Sequence, residues 1–464
     1  MRNHLRFFLL AALSGLALRL LFLFVFPAIT ADSFIYGDIA KNWLNHGIYG
    51  VTDGAAIIPT YIRLPGYPAF LAAVFSIFGM EHYRAVLVIQ IFIDLATCFL
   101  IANIARRLLS DRTAKATFLL AALCPFFANY AAAALTETLE IFFTVLALNF
   151  AIRGLRDWQT RNLWSWVGCG LAIACAILLR PDGGILLAAV GGYLVFMIIA
   201  SFVRKTPTSS YYYLRAALLM VCIALAPLIP WTLRNLRTLH RLEPLAPRYA
   251  NAPDEFVQLG FNRWVRTWMV DYASVEELYW SVPANTLDAS KLPSRAFDSP
   301  AQQDETAQLI DDYNEKLHVT PELDVRFDKI ASDRIHASPI RYYIWLPLVR
   351  ITDMWLRPRT EILPSDSRWW EFDDDPKWSA LAVALGIVNL LYVGAAFWGL
   401  VKMRTPQLFW LLFVFVLLRS AFLCTLENPE TRYTLECYPV VILMASQIFE
   451  RGSHSATIRE YGKL

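Results

Sequence analysis

Long apolar runs, separated by short basic clusters, recur along most of this chain. A bilayer's hydrocarbon core takes roughly 17–25 residues of helix to cross. Runs of that kind occur at 5–27, 84–104, 113–131, 136–152, 164–180, 183–203, 213–232, 378–400, 406–424 and 435–450. The run at 5–27 is too long for a secretory leader and carries Arg19 inside it, so it counts as the first span. Residues 65–80 (PGYPAFLAAVFSIFGM) are shorter and read as an interfacial or re-entrant helix. The pattern predicts an all-α polytopic membrane protein with about ten crossings, or eleven and more if residues 65–80 also cross.

The polar intervals set the organisation. A membrane block at 1–232 contains a long first loop at 28–83, a polar region follows at 233–377, a second membrane block spans 378–450, and 451–464 is a tail. Basic residues accumulate at Arg2 and Arg6, Arg106 to Lys115, Arg153 to Arg161, Arg204 to Arg215, Lys402 and Arg404, and Arg451. Ten spans put all of these on one side. The positive-inside bias makes that side the cytoplasm, with both termini there and the 28–83 and 233–377 regions outside a cell inner membrane.

Within the loops, DSFIYGDIAKNWLNHG from Asp32 predicts an amphipathic surface helix. Ile35, Ile39 and Trp43 form its apolar stripe, Asp38, Lys41, Asn42 and Asn45 face away, and Gly47 is the stop. Stretches 301–317 and 323–337 have helical spacing, and 340–357 reads as an interfacial helix, so the outer region is mostly helical.

Composition agrees: 57% of residues are apolar and 17% charged, and a net charge of +3 is too small to point to nucleic acid. The seven cysteines lie in or beside apolar runs with no CxxC pair, which suits buried small hydrophobes better than disulfides or metal.

Several charged residues stand where membrane physics disfavours them. Arg19 lies about 12 Å, and Asp94 about 15 Å, below the outer surface at 1.5 Å per residue. Each alone is costly in lipid, and a pair is tolerable, so they are expected to meet. Asp32 is either the N-cap of its helix or a carboxylate facing a cavity. Glu137 and Glu140 sit one turn apart at the outer start of a span, and an acid there is a functional candidate. Arg63, Arg180, Arg234, Arg419 and Arg432 all fall near outer span ends. That is either snorkelling and helix capping or an anion site, for which arginine has the right geometry.

Asp32-x3-Tyr36 with Ala40 and Gly47, RLPGYPAFLAAVFSIFG at 63–79, LTETLE at 135–140, LLRPDGG at 178–184, PWTLRN at 230–235 and ENPETRYTLECYP at 427–439 together resemble the GT-C superfamily of polytopic glycosyltransferases. The branch resembled is that of the protein O-mannosyltransferases and the lipid A aminoarabinose transferase. The resemblance implies a sugar carried on a polyprenyl phosphate and transferred, with inversion, to a hydroxyl of a glycan, lipid or protein on the outer face. It implies that Asp32 is the first-loop catalytic acid, Glu137 a second acid, and Arg63 a donor-phosphate contact. Where many relatives have an Asp-Glu pair, Asp32 is followed by Ser33. Arg432, Arg180, Arg234 and Arg419 are the further phosphate candidates, and Tyr36, Glu140 and Tyr433 stand beside them in the same motifs.

Glycosyl transfer needs a base for the acceptor hydroxyl and cations for the leaving phosphate, and these residues supply both. Asp373-Asp374-Asp375 contains a DxD, yet no glycine-rich βαβ unit accompanies it for a nucleotide sugar. A transporter or lipid flippase is the rival class; it expects internal repeats and broken mid-membrane helices. A divalent ion, Mg or Mn, held by two or three carboxylates is compatible with the acids and is not specified by them.

Overall fold

The computed structural model describes residues 4–372, 375–402 and 408–450. Asp373 and Asp374, and the basic positions Arg2, Arg404 and Arg451, lie outside the described residues. The chain is a helical membrane protein. Six helices are long and apolar enough to cross a bilayer, or seven if one bent pair is a single span.

In chain order, α1 (Leu5–Val25) leads to α2 (Ala31–His46), a two-stranded hairpin of β1 (Gly50–Asp53) and β2 (Ala56–Pro59), α3 (Gly66–Phe78) and α4 (Tyr83–Leu108). Then come α5 (Asp111–Ala122), α6 (Pro125–Ala131), α7 (Glu137–Arg156), α8 (Trp164–Leu179), α9 (Gly184–Val203), α10 (Pro207–Leu225) and α11 (Leu228–Leu239). The polar region holds α12 (Leu259–Arg266), the single turn α13 (Tyr272–Ser274), α14 (Pro300–Lys316), α15 (Pro321–Ala337) and α16 (Leu346–Leu356). The second block is α17 (Pro376–Lys402), α18 (Phe409–Leu423) and α19 (Tyr438–Ser446).

The structure corrects several expectations. The run at 113–131 is not one straight span: α5 and α6 meet at a 51° bend just before Pro125, which cannot continue the helical ladder. The run at 213–232 is longer than read, covering Thr208–Leu239, and contains the break between α10 and α11. Helices α8 and α18 are short, with 16 and 15 residues. The last run is a composite in which a 3-10 segment, Thr431–Cys437, precedes the nine residues of α19. The fold is also not purely helical. Residues 50–59 form the antiparallel hairpin, with Gly50 opposite Pro59 and Asp53 opposite Ala56.

That hairpin overturns part of the reading of α2. Asn42 is buried, because its amide donates to Gly50 O at 3.1 Å and Thr52 Oγ1 at 3.1 Å. Asp38 accepts from Thr52 N at 2.6 Å. The side of α2 expected to meet solvent is therefore roofed by β1, while Ile39 and Ala40 are fully buried on the other side. Gly47 does end the helix, at φ 67°. Helix α3 has 13 residues, about 20 Å at 1.5 Å per residue, short of a core of about 30 Å.

Residues 257–337 form a helical unit with its own core around Phe261, Trp264, Trp268, Leu309, Tyr313 and Phe327. The expected helices appear as α14 and α15. Leu317, the last residue of the stretch with helical spacing, instead ends α14 in the left-handed region and is exposed. Residues 340–357 give a helix whose Tyr343, Trp345 and Leu348 are exposed, while Arg350 turns inward to Met269 O at 2.8 Å.

Arg19 and Asp94 meet as expected. Arg19 Nε donates to Asp94 Oδ2 at 2.6 Å, and both side chains are buried. Arg19 Nη1 also reaches Ala122 O at 2.6 Å, at the end of α5. A bend inside a membrane frees carbonyls that no water can satisfy, and this guanidinium takes one of them. The same side chain thus neutralises an acid and closes the break. Arg19→Met is expected to cost about 3–5 kcal/mol, because it leaves a buried charge unpaired. The double variant Arg19→Met/Asp94→Leu should recover most of that loss in chaotrope unfolding in mild detergent.

Candidate functional site

Asp32 does not cap α2. Thr30 is the N-cap, and its N–H donates to Ser33 Oγ at 3.0 Å. Asp32 is thereby free for other contacts. Its Oδ1 accepts from Arg63 Nη2 at 2.8 Å, and its Oδ2 lies 3.7 Å from Arg432 Nη1.

Arg63 is placed by the loop after the hairpin. Tyr49 OH donates to Arg63 O at 2.9 Å, and Tyr49, Tyr61 and Leu64 pack with Ile39 and Trp231. Gly66 then lets the start of α3 approach the end of α8, where any Cβ would stand 2.6 Å from the Leu178 backbone. That contact sets Arg63 near Arg180, which directly follows α8. The Arg63 guanidinium lies 5.6 Å from the Tyr36 ring, and burial pushes the Tyr36 phenol up to about 12, so it stays neutral.

Glu137 opens α7, where its charge also complements the helix dipole. Its Oε1 lies 3.8 Å from Arg432 Nη1 and 3.9 Å from Arg180 Nη1, while its buried Oε2 has no hydrogen-bond partner. Glu140, one turn on, lies 3.6 Å from Arg180 Nε. Arg180 and Arg432 both stack on Tyr433, at 4.9 and 5.4 Å from the ring centre. Asp32, Glu137, Glu140, Arg63, Arg180, Arg432, Tyr36 and Tyr433 are therefore brought together.

Arg234 and Arg419 are not part of that meeting. Arg234 donates to Thr60 O at 2.7 Å and to Tyr49 O, so it fastens the loop that carries Arg63. Arg419 is fully buried, donates to Tyr433 O at 3.1 Å, and is ion-paired with Glu436 and with Asp182 at 3.0 Å. Both were read as phosphate contacts because only position along the chain was visible; their guanidiniums are engaged by the scaffold.

Three acids were not singled out from the sequence. Glu430 pairs with Arg432 and accepts from Tyr433 OH. Asp182 lies 3.3 Å from Arg180, and Glu436 pairs with Arg419. The available signal was their place inside the ENPETRYTLECYP and LLRPDGG motifs; Glu430 and Asp182 each lie two residues from an arginine they hold, while Glu436 meets Arg419 only through the fold.

The electrostatics of Asp32 are set by opposing causes. Burial disfavours its charge, and the Arg432 and Arg63 guanidiniums outweigh that, holding its carboxyl below the ordinary carboxylate value. The donor set does not fit a divalent ion. Among the described residues no three His, Cys, Asp or Glu side chains converge to hold one, and the contacts of Asp32 and Glu137 are with guanidiniums.

Residues 63–231 match the family model described as dolichyl-phosphate-mannose-protein mannosyltransferase. The resemblance to the GT-C glycosyltransferases read from the sequence is borne out by that match. Among solved structures, the chain resembles the oligosaccharyltransferase of Archaeoglobus fulgidus, at 13% identity and a TM-score of 0.50, over 95% of this chain and 48% of that one. This chain thus spans about half the length of that relative, and the likeness shows a common fold. ArnT from Cupriavidus metallidurans in the apo state is matched at 15% identity and a TM-score of 0.39, over 97% of this chain and 79% of that one. No curated protein matches.

A carboxyl held below its unfolded value, which lies near pH 3.9, stabilises the fold above that pH. That stability is lost as pH falls through the folded value. Wild type is therefore expected to lose its advantage over Asp32→Asn progressively as pH falls below about 5 and on through the lowered folded value, read from paired unfolding curves.

Proposed function

We propose that this protein is an inverting membrane glycosyltransferase that moves a sugar from a polyprenyl phosphate to an acceptor hydroxyl. The observation that carries this reading is the convergence of Arg63, Arg180 and Arg432 on Asp32, Glu137 and Glu140, with carboxylate oxygens of Glu137 and Glu140 left without hydrogen-bond partners. A buried polar atom without a partner costs about 1–3 kcal/mol. A hydroxyl-bearing ligand would remove that cost.

In this reading the acceptor oxygen attacks the anomeric carbon, and its proton passes to Asp32. The bond from that carbon to the phosphate oxygen breaks, and its electron pair leaves with the polyprenyl phosphate. Arg63 and Arg432 stabilise the charge that develops there. Before the donor binds, both arginines suppress the basicity of Asp32. A phosphate that drew those guanidiniums to itself would return Asp32 towards an ordinary carboxylate value and make it a better base. Donor binding would thus activate the base. Glu137 would orient the acceptor.

The transport reading would claim the α5–α6 bend. One carbonyl at the end of α5 is taken by Arg19, so the break is knitted into the bundle, which does not favour a pathway there.

For topology we propose ten crossings, with both termini cytoplasmic and the sugar-transfer site on the outer face of the inner membrane. Ten is reached by counting the bent pair, α8, α18 and the α19 composite with the six long helices. In a cysteine-free background, Gln303→Cys is expected to react with a membrane-impermeant maleimide from outside only. Labelling from the cytoplasmic side alone would refute the topology.

The donor is tested by offering purified protein a radiolabelled sugar either on a polyprenyl phosphate or on a nucleotide, with acceptor extract. Transfer is expected from the lipid form and to be lost in Asp32→Asn. Arg63→Ala and Arg432→Ala should each lower donor use by about 10–150-fold, the worth of a charge-assisted contact of about 1.5–3 kcal/mol. Arg234→Ala should weaken folding of the first loop instead. Transfer from the nucleotide form alone would overturn the assignment.

A further inference from the structure

A second feature lies beside this cluster and takes no part in it. Val25 to Thr30, the stretch joining α1 to α2, faces Glu361, Ile362 and Pro364 across a cavity of about 330 Å³. Val25, Phe26, Pro27, Ile29, Ile362 and Pro364 supply apolar surface to its wall, and polar atoms supply nearly as much. The charged group among them is Glu361. A wall of mixed character can meet both the C–H face and the hydroxyls of a polar ring.

The carboxyl of Glu361 is poorly satisfied where it stands. Its Oε2 is at the limit of a hydrogen bond, 3.4 Å from Tyr130 OH, and its Oε1 is buried with no partner. The neighbouring Arg359 does not pair with it, because that guanidinium is directed to Thr431 O at 2.8 Å, Thr434 Oγ1 at 2.6 Å and Tyr438 OH at 3.1 Å. Burial raises the Glu361 pKa, against the pull of Arg359 and weaker help from a backbone N–H and the Thr431 hydroxyl. The last torsion of a glutamate is soft, so the carboxyl can turn to meet a donor inside the cavity.

The cavity is also well placed. Thr30 lines it and caps the helix whose second residue is Asp32. Tyr130, which donates to Glu361, is within electrostatic reach of Glu137 and Arg432.

We propose that the cavity between Val25–Thr30 and Glu361–Pro364 is a sugar-ring subsite, in which Glu361 accepts hydrogen bonds from ring hydroxyls while the apolar part of the wall covers the ring's C–H face. The ring is that of the donor or of the acceptor; both present the same chemistry, and the subsite rests on the glycosyltransferase reading. Glu361 is then a specificity residue that contacts the substrate, distinct from the base at Asp32 and the phosphate contacts at Arg63 and Arg432.

The test uses full-length protein in nanodiscs. The probes are bare undecaprenyl phosphate, undecaprenyl-phosphate-linked hexose and pentose, and acceptor extract. Glu361→Gln keeps shape and folding, and Glu361→Ala removes the acceptor atoms. Both variants are expected to bind bare undecaprenyl phosphate as wild type does, within about twofold. If the ring is the donor's, Glu361→Ala should lose about 10-fold or more in affinity for a sugar-loaded lipid, with Glu361→Gln between. If it is the acceptor's, donor affinity should hold while the acceptor KM rises by a similar factor. Unchanged donor affinity and unchanged acceptor KM in both variants would overturn the subsite. Failure of wild type to bind bare undecaprenyl phosphate would instead overturn the underlying functional reading, and that arm does not depend on Glu361.

Discussion

A charge inside a low-dielectric bundle cannot stand alone, and nearly everything distinctive about this protein follows from how its buried arginines are answered. Arg19 answers Asp94 and a broken helix end. Arg419 answers Asp182 and Glu436 and so ties α9's start to the 3-10 segment at 431–437. Arg359, with no carboxylate in hydrogen-bonding reach, fixes that same segment through Thr431 O and Thr434 Oγ1. These contacts make a rigid frame from pieces far apart in sequence.

The frame divides the arginines into two kinds. Arg234 donates to backbone carbonyls, and Arg419 donates to Tyr433 O and two close carboxylates through Nε and Nη2, so both position other groups. Arg180 and Arg432 instead face Glu137 across 3.8 to 3.9 Å, too long for hydrogen bonds, and share one tyrosine ring. Each also has a closer carboxylate, Asp182 at 3.3 Å from Arg180 and Glu430 at 2.5 Å from Arg432, so an incoming anion would share these guanidiniums with the acids that already hold them. Arg63 is intermediate: its bond to Asp32 is close, and in the proposed reading Asp32 is the group that a bound phosphate would release.

The polar region is joined to this frame at several points, and one of them lies close to the cluster. Glu427 accepts from Arg248 Nη2 at 2.8 and 2.9 Å and from Tyr249 OH at 3.2 Å, just upstream of Glu430 and Arg432. Movement of the segment after α11 would therefore be felt at the residues that flank Asp32. The helical unit at 257–337 has its own core.

Periodicity and charge placement in the sequence were enough to reveal a helical membrane protein, the surface helix at 31–46, the helices at 300–316 and 321–337, and the Arg19–Asp94 pair. Each depends on local spacing or on depth along a single span. Motif order likewise pointed to Asp32, Glu137, Arg63, Arg180 and Arg432. The sequence could not separate those arginines from Arg234 and Arg419, because which guanidiniums reach Asp32 or Glu137 depends on how distant segments are brought together. It could not reveal the hairpin over α2, the break before Pro125 as a structural joint, or Glu361, which lies in a polar stretch with no motif. Whether Asp32 caps a helix or faces a cavity was open in the sequence for the same reason. Thr30 takes the cap, and the fold delivers Arg63 and Arg432 to the carboxylate this leaves free.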